Sequence, residues 1–414
     1  MSRARLQRFG KYLLVHQVAV GGMAEIFLAV EKSEHGGHRF VTIKRIRSDF
    51  DRDDEYVQFF LTEGRVSLKC AHPNLPQAYD MGVVDGCHYL ALEFIHGHTL
   101  LDVVRAAALA RRPLAVSSAV HIGVGIAAAL EHAHGLRDVD GRPLRVVHRD
   151  VTPQNVMLSL SGAVKLIDFG IVRSSVQTHR TESGVVKGKF SYMAPEALDG
   201  VTRLDHRADL FSLGVVLHET LTGRSLFRGD TDHETLERVR SLEVPDLSRV
   251  RSDVPPPLAA VVRRALERDP ARRYQSATDL LRALEDVAER CQIHHSMTRL
   301  RDEVLDRCGV PRLPPLPAEV RAMLTGAGDA GATAAAASAP AAEAAIEEPP
   351  TTLARSTTDE GEPAPRERFS RDPRLAYYLR QAGALPDSPA PAPSRRGATH
   401  SDPELSALLA ALEG

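Results

Sequence analysis

The 414-residue sequence is poor in cysteine, carries no strong excess of charge of either sign and contains no long uninterrupted apolar run. Each shortage argues against a class of function. The four cysteines, Cys70, Cys87, Cys291 and Cys308, are widely spaced, which suits a reducing compartment better than a disulfide framework. Cys291, His294, His295 and Cys308 lie near one another, but their spacing matches no common zinc finger, and Ile293 and Met297 among them point to an ordinary helix. A net charge of -2 leaves no polycationic face for nucleic acid and no acidic tail. No segment approaches the roughly 18 consecutive apolar residues of a membrane span. The basic residues within Met1–Arg8 have no apolar stretch behind them. A soluble, cytoplasmic protein with no membrane span and no nucleic-acid partner is expected.

What is present is a hydrophobic fraction of 43%, enough for a sizeable core. From Phe9 to Glu289 apolar runs alternate with turn residues, as in a packed domain. Within it KYLLVHQVAV, EIFLAVEKS and FVTIKRI have the β-branched and aromatic content of strands. EYVQFFLTEGRVSLKC has helical spacing at Tyr56, Phe59, Phe60, Glu63 and Val66. Beyond His98 the long periodic segments SSAVHIGVGIAAALEHAHG, ADLFSLGVVLHETLTG and PPLAAVVRRALERD are helical. The expected class is α+β: a small, mainly-β lobe with one helix over residues 9–93, then a larger mainly-α lobe over 97–289. Residues 290–325 are expected to form a helical extension.

Residues 326–414 change character. GAGDAGATAAAASAPAAEAAIEEPP and the Pro-rich stretch 386–401 bury too little apolar surface to offset ordering entropy, so a disordered tail is expected. Two short helical patterns interrupt it, near 373–384 (Leu375, Tyr378, Leu379, Ala382) and 403–413 (Leu405, Leu408, Leu409, Leu412). The second has Pro403 near its start and is too short to be stable alone. Its leucine stripe suits a tethered docking helix for a partner or for this chain, and chance periodicity is the alternative.

Three features carry chemistry. VAVGGMAEIFLAV puts Gly21 and Gly22 between two strands, where backbone N–H groups can close over phosphates. Ala19 and Ala24 stand at the outer glycine positions of G-x-G-x-x-G, and an ordinary hairpin accounts for the turn equally well. VTIK ends a strand with Lys44, whose long stem needs a carboxylate such as Glu63 to fix it, although such a pair more often simply faces water. HRDVTPQN, His148 to Asn155, is followed by IDFG, with Asp168 thirteen residues after Asn155, and then by MAPE, Met193 to Glu196.

In that order and spacing these motifs resemble the eukaryotic-type protein kinase family, and more closely its bacterial serine/threonine branch, over residues 9–289. The resemblance implies a two-lobed kinase fold, the cofactors ATP and Mg2+, protein substrates and transfer of the γ-phosphate to serine or threonine. It implies Asp150 as the base, Asn155 and Asp168 as Mg2+ ligands, and Lys44 held by Glu63 on the α- and β-phosphates. The backbone of Ala19, Gly21 and Gly22 would cover the phosphates. Leu92 would be the gatekeeper, with the backbones of Glu93 and Ile95 facing the adenine edge. Asp209 would brace the catalytic loop, and Arg273 would pair with Glu196. Arg149 is placed to hold a phosphorylated activation loop that offers Ser174, Ser175, Thr178, Thr181 and Ser183, with Thr181 and Ser183 the best placed.

One departure bears on activity. Where the serine/threonine branch usually has lysine two residues after the catalytic aspartate, this sequence has Thr152, and where it has threonine before A-P-E this sequence has Lys189. An exchange is expected, with Lys189 reaching the same space and hydrogen-bonded to Thr152. Lys189 facing solvent is the alternative. The Lys189-Phe190 pair resembles tyrosine kinases, but the catalytic loop lacks their Ala-Ala-Arg or Arg-Ala-Ala element. A kinase-shaped scaffold without turnover would be marked by a missing base or metal ligand. A small-molecule phosphotransferase generally lacks MAPE and the long activation loop.

Overall fold

A computed structural model describes residues 7–32, 38–169, 189–198, 204–318 and 320–321. The expected activation-loop phosphorylation sites and both tail helices therefore lie outside the described residues. Chain contacts divide into a smaller unit, Met1–His16, Val30–Arg39 and Leu313–Gly414, and a larger one, Gln17–Ala29 and Phe40–Arg312.

In the smaller unit β1 (Gln7–Phe9) pairs antiparallel with the start of β2 (Tyr12–Val20), Gln7 opposite Leu14 and Phe9 opposite Tyr12. Glu31 there binds both Lys11 at 3.0 Å and Arg39 at 2.5 Å.

The larger unit holds every described residue to which the sequence assigns a role. Its first sheet runs β2, β3 (Ala24–Lys32), β4 (His38–Ile46), β6 (Cys87–Glu93), β5 (Ala78–Val84). β5 and β6 are joined through Asp85 and Gly86, both at positive φ (52° and 80°), the turn geometry whose twist suits a tight hairpin. Strand alternation buries Val41 and Ile43 completely. Helix α1 (Asp54–Lys69) starts at Asp53, whose carboxylate accepts from the Glu55 N–H. It packs on β5 at Gly64, where a side chain would overlap the Met81 sulfur. That close approach sets the depth of Glu63, the adjacent residue.

A second sheet of three short strands, β7 (Gly97–Thr99), β8 (Val156–Ser159) and β9 (Val164–Leu166), opens the helical lobe. α2 (Leu100–Leu109) begins with a capping box between Thr99 and Asp102. α3 (Val116–His134) is, by length and composition, apolar enough to cross a membrane, the one such helix among the described residues. Its Ile122, Ile126 and Leu130 are wholly buried in the core of this lobe. After the short α4 (Pro195–Leu198), α5 (Arg207–Thr222) is buried on nearly every face, as the central helix of a lobe must be. α6 (Asp232–Ser241), α7 (Leu247–Val250), α8 (Pro256–Ala265) and α9 (Ala277–Arg290) follow. α10 (Met297–Cys308) adds Leu300 and Val304 to the same core. The α+β, two-lobed class expected from the sequence is the one found.

α5 also buries His218, whose two ring nitrogens have no hydrogen-bond partner among the described residues. Burial pushes this imidazole down from 6.5 to about 4. With the folded-state value depressed, the unfolded chain binds the proton first. The stability contribution is complete above pH 6.5 and is lost as the pH falls toward 4, on the order of 3 kcal/mol in full. His218→Leu is expected to flatten the acid decline of unfolding free energy across that window. Urea titrations at a series of pH values check it, and parallel pH curves for the two proteins would exclude His218 as a source.

Candidate active site

The turn between β2 and β3 closes with the Gly21 N–H donating to the Ala24 carbonyl at 2.8 Å. A side chain at Gly22 would meet no protein atom within 4 Å, so the bare backbone faces open space there. Ala19 sits at the exposed end of β2, and Ala24 is buried at the start of β3.

Lys44 projects from β4, beyond the buried Val41 and Ile43. Its Nζ lies 2.6 Å from Glu63 Oε1 and 3.0 Å from Asp168 Oδ1. The Lys44 and Glu63 side chains are 12% and 8% exposed, whereas Asp168 is 40% exposed and reaches open space. Burial alone would push the ammonium down. The carboxylates of Asp168 and Glu63 outweigh it and hold Lys44 above its ordinary value, so it stays charged. Three residues far apart in sequence thus form one ion cluster, buried at Lys44 and Glu63 and open at Asp168.

The loop carrying Asp150 is shaped by a carboxylate from below. Asp209, in the first turn of α5 and 1% exposed, accepts from the His148 N–H and the Arg149 N–H, each at 2.7 Å, and contacts His134 Nε2 at 2.8 Å. Burial by itself raises the Asp209 carboxyl, but the His134 hydrogen bond and these neighbours hold it below its ordinary value. Arg149 takes φ 64°, a left-handed conformation, directly after the two backbone N–H groups that Asp209 holds. His148 is wholly buried and stacks at a tilt on Phe169, 5.0 Å between centroids, beside the equally left-handed Asp168 at φ 58°. Asn155 Nδ2 donates to Asp150 Oδ2 at 2.6 Å and to the Asp150 carbonyl at 2.9 Å. The Asn155 carbonyl accepts from the Ile167 N–H at 2.8 Å. Asp150, Asn155 and Asp168 are thereby brought together through Asn155 and the Ile167 N–H that precedes Asp168.

At the edge of β6, Leu92 lies opposite Thr42 of β4. The Glu93 N–H donates to the Gln77 carbonyl, and its carboxylate pairs with Lys165 Nζ at 2.6 Å and accepts from the Gln77 N–H at 3.2 Å. Lys165 also donates to the Leu75 carbonyl. The Ile95 N–H makes no hydrogen bond among the described residues.

Further along, Glu196 and Arg273 form a bidentate pair at 2.6 and 2.7 Å, and Arg273 has no exposed surface. Lys189 opens the single helical turn Lys189–Tyr192, but its side chain is outside the described residues. Thr152 is 4% exposed, and its hydroxyl has no hydrogen-bond partner among those residues.

Sequence reasoning missed Lys165, Gln77 and His134. Each acts through a contact spanning 16 to 75 residues or more, and none sits in a recognisable motif. The donors present suit a nucleotide with a hard cation. Asn155 spends its nitrogen on Asp150 and leaves an amide oxygen, Asp168 offers a part-exposed carboxylate, and Gly22 leaves room for phosphate.

Known proteins give the same picture. Residues 12–284 match the family model described as protein kinase domain. Over 280 residues the chain is 38% identical to Tyrosine-protein kinase MasK of Myxococcus xanthus, covering 68% of this chain and 43% of that protein. It is 35% identical over 288 residues to Serine/threonine-protein kinase PknB of Mycolicibacterium smegmatis, covering 67% and 43%. The solved Mycobacterium tuberculosis PknI kinase domain superposes with a TM-score of 0.51 at 27% identity, over 70% of this chain and all of that one. The match thus spans less than half the length of either curated relative.

Asp209 offers a direct test of the loop's support. Asp209→Asn keeps the shape but turns an NH2 toward groups that donate, leaving a buried N–H without an acceptor. A loss of about 2–4 kcal/mol is expected, with faster hydrogen exchange at the amides of His148 and Arg149. Unchanged exchange at both amides would remove Asp209 from this role.

Proposed function

This chain belongs to the protein kinase domain family, and on that premise we propose that it transfers the γ-phosphate of ATP to serine and threonine hydroxyls of proteins, in bacterial signal transduction. Kinases of this family use ATP and Mg2+. One observation carries the reading: Lys44, Glu63 and Asp168 are joined by hydrogen bonds next to an Asp150 carboxylate held by Asn155. A scaffold without turnover has no use for all five groups.

When bound, Mg2+ and ATP supply the phosphoryl group and most of the charge neutralisation that its transfer needs. Asn155 Oδ1 and Asp168 would be the oxygen donors for the cation. Lys44, kept charged by two carboxylates, turns its ammonium to the α- and β-phosphates. The Ile95 N–H and the Glu93 carbonyl take the adenine edge, and the Gly21-Gly22 backbone covers the phosphates. Asp150, oriented by Asn155, accepts the hydrogen bond of the incoming hydroxyl and takes its proton late. Lys189 provides the cation that Thr152 does not, because loss of a charge-stabilising group commonly lowers turnover ~10²-fold or more. Phosphorylation of Thr181 or Ser183 near Arg149 would switch the enzyme on. Reduced thiols and the need for ATP suit the cytoplasm.

Hydroxyl specificity has a second reading. MasK is named a tyrosine kinase, and Lys189-Phe190 before Ala194 resembles that class. The serine/threonine reading is favoured by the catalytic loop and by the similarity to PknB.

Incubation with labelled ATP, Mg2+ and mixed peptides, followed by phosphoamino-acid analysis, is expected to give phosphoserine and phosphothreonine from wild type and almost none from Asp150→Asn. Phosphotyrosine alone would overturn the specificity, and equal labelling by Asp150→Asn would overturn the mechanism. Lys189→Ala is expected to lower kcat about 10- to 1,000-fold with little change in KM for ATP. A fully active Lys189→Ala enzyme would remove the exchange with Thr152.

A further inference from the structure

The family match ends at residue 284, yet the chain continues as a packed part of the helical lobe. α10 buries Leu300 and Val304 and turns a polar face to the loop between α2 and α3. Glu303 Oε1 accepts from the Ala115 N–H at 2.9 Å, at the start of α3. Arg307, 4% exposed, donates to the Arg112 and Pro113 carbonyls at 2.6 and 3.0 Å and pairs with Glu303 at 2.6 Å. One ion pair thus serves the second half of that loop, the Arg112 and Pro113 carbonyls through Arg307 and the Ala115 N–H through Glu303.

Gly309 then ends α10 at φ 68°, ψ -170°, a conformation essentially restricted to glycine. That turn aims two carbonyls at the segment after β6. Gly309 C=O lies 2.9 Å from His98 Nε2, and Pro311 C=O lies 3.1 Å from His96 Nε2. Because a carbonyl only accepts, both imidazoles carry their hydrogen on Nε2. Between them Gly97 runs so close to β8 that any side chain would overlap the Leu158 carbonyl. The His96 carbonyl is itself held by the Leu160 N–H at 2.9 Å. The His96 ring stacks beside Phe94, 6.3 Å between centroids, and Phe94 lies 6.2 Å from Phe40. Ile95, whose N–H awaits an acceptor, sits between these anchored residues.

We propose that residues 297–312 form a strap that fixes the hinge, the segment from Glu93 to His98 after β6, through His96 and His98 and so sets the affinity of the site for nucleotide. The two histidines are positioning residues: they touch the strap, and Ile95 and Glu93 touch the adenine. The inference rests on the kinase reading for the statement that this segment receives adenine. Its physical basis is preorganisation, since a segment already held in place loses less freedom when it binds.

The test uses the full chain and three variants: His96→Ala with His98→Ala, His96→Gln with His98→Gln, and Gly309→Ala. Calorimetry with Mg2+ and ADP, steady-state kinetics in ATP and thermal melting are read for each. The alanine pair is expected to raise both Kd for ADP and KM for ATP about five- to ten-fold, with kcat within two-fold. The glutamine pair, whose amide also donates, restores both to within two-fold. Gly309→Ala places its methyl where no atom lies within 4 Å, so a weakened affinity in that variant comes from the backbone turn itself. An alanine pair that melts earlier but binds ADP as tightly as wild type would reduce the strap to a structural brace and overturn the proposal. Failure of wild type to bind ADP at all would overturn the kinase reading and the proposal with it.

Discussion

A carboxylate sealed inside a helical lobe has to be saturated with donors, and Asp209 is the group on which the rest of the site hangs. Two backbone N–H groups and one imidazole converge on it at 2.7–2.8 Å. Those bonds set the peptide planes of His148 and Arg149, and through them the exit direction of the chain at Asp150. From Asp150 the connections continue outward: Asn155 holds the carboxylate, its carbonyl holds the Ile167 N–H, and the next residue, Asp168, reaches Lys44. Lys44 ends the series on Glu63 of α1. The path from α5 to α1 is thus an unbroken series of hydrogen bonds and neighbouring residues.

Two residues along this path, Arg149 and Asp168, adopt left-handed backbone conformations that cost on the order of 1–2 kcal/mol each. Neither is a glycine, and neither is in a turn that demands such a φ. The conformations persist because the alternative would break several buried hydrogen bonds at once, each more expensive to leave unmade than it is valuable when made. The strain directs the Asp168 side chain toward Lys44 and away from the core beneath Phe169. Function is visible here as a local conflict that the surrounding bonds override.

How much of this was legible in the sequence depends on the range over which each signal acts. β4 followed from β-branched and aromatic content and α1 from a period-3.6 pattern, which is why Lys44 and Glu63 were both placed on their elements before their 2.6 Å contact was known. Asp150, Asn155, Asp168 and Asp209 stand in short motifs. Lys165 was invisible because its strand has three residues, too few for any period to register, and its partner Glu93 is 72 positions away. His134 closes an apolar helix and reads as a terminal polar residue, with no hint that it meets Asp209. Residues 290–325 read as a helical extension, within which α10 buries Leu300 and Val304 in the lobe; that packing was not legible, since Glu303 and Arg307 look like a solvent-exposed i, i+4 pair when the loop they serve is out of view.

The hinge brings these threads together. On one side Glu93 is pinned by Lys165, itself tied to the Leu75 carbonyl, and by Gln77. On the other, His96 and His98 are pinned by carbonyls from beyond α10, and the His96 carbonyl by Leu160. The bonds on the two sides come from unrelated parts of the chain, yet both leave Ile95 alone. Restraint on either side of one unsatisfied N–H is what a binding edge requires, because a donor that wandered would find water or a neighbouring carbonyl instead. The bonds that restrain this segment thus come from Gln77, Lys165, Leu160 and the carbonyls of Gly309 and Pro311, residues that share no motif with it.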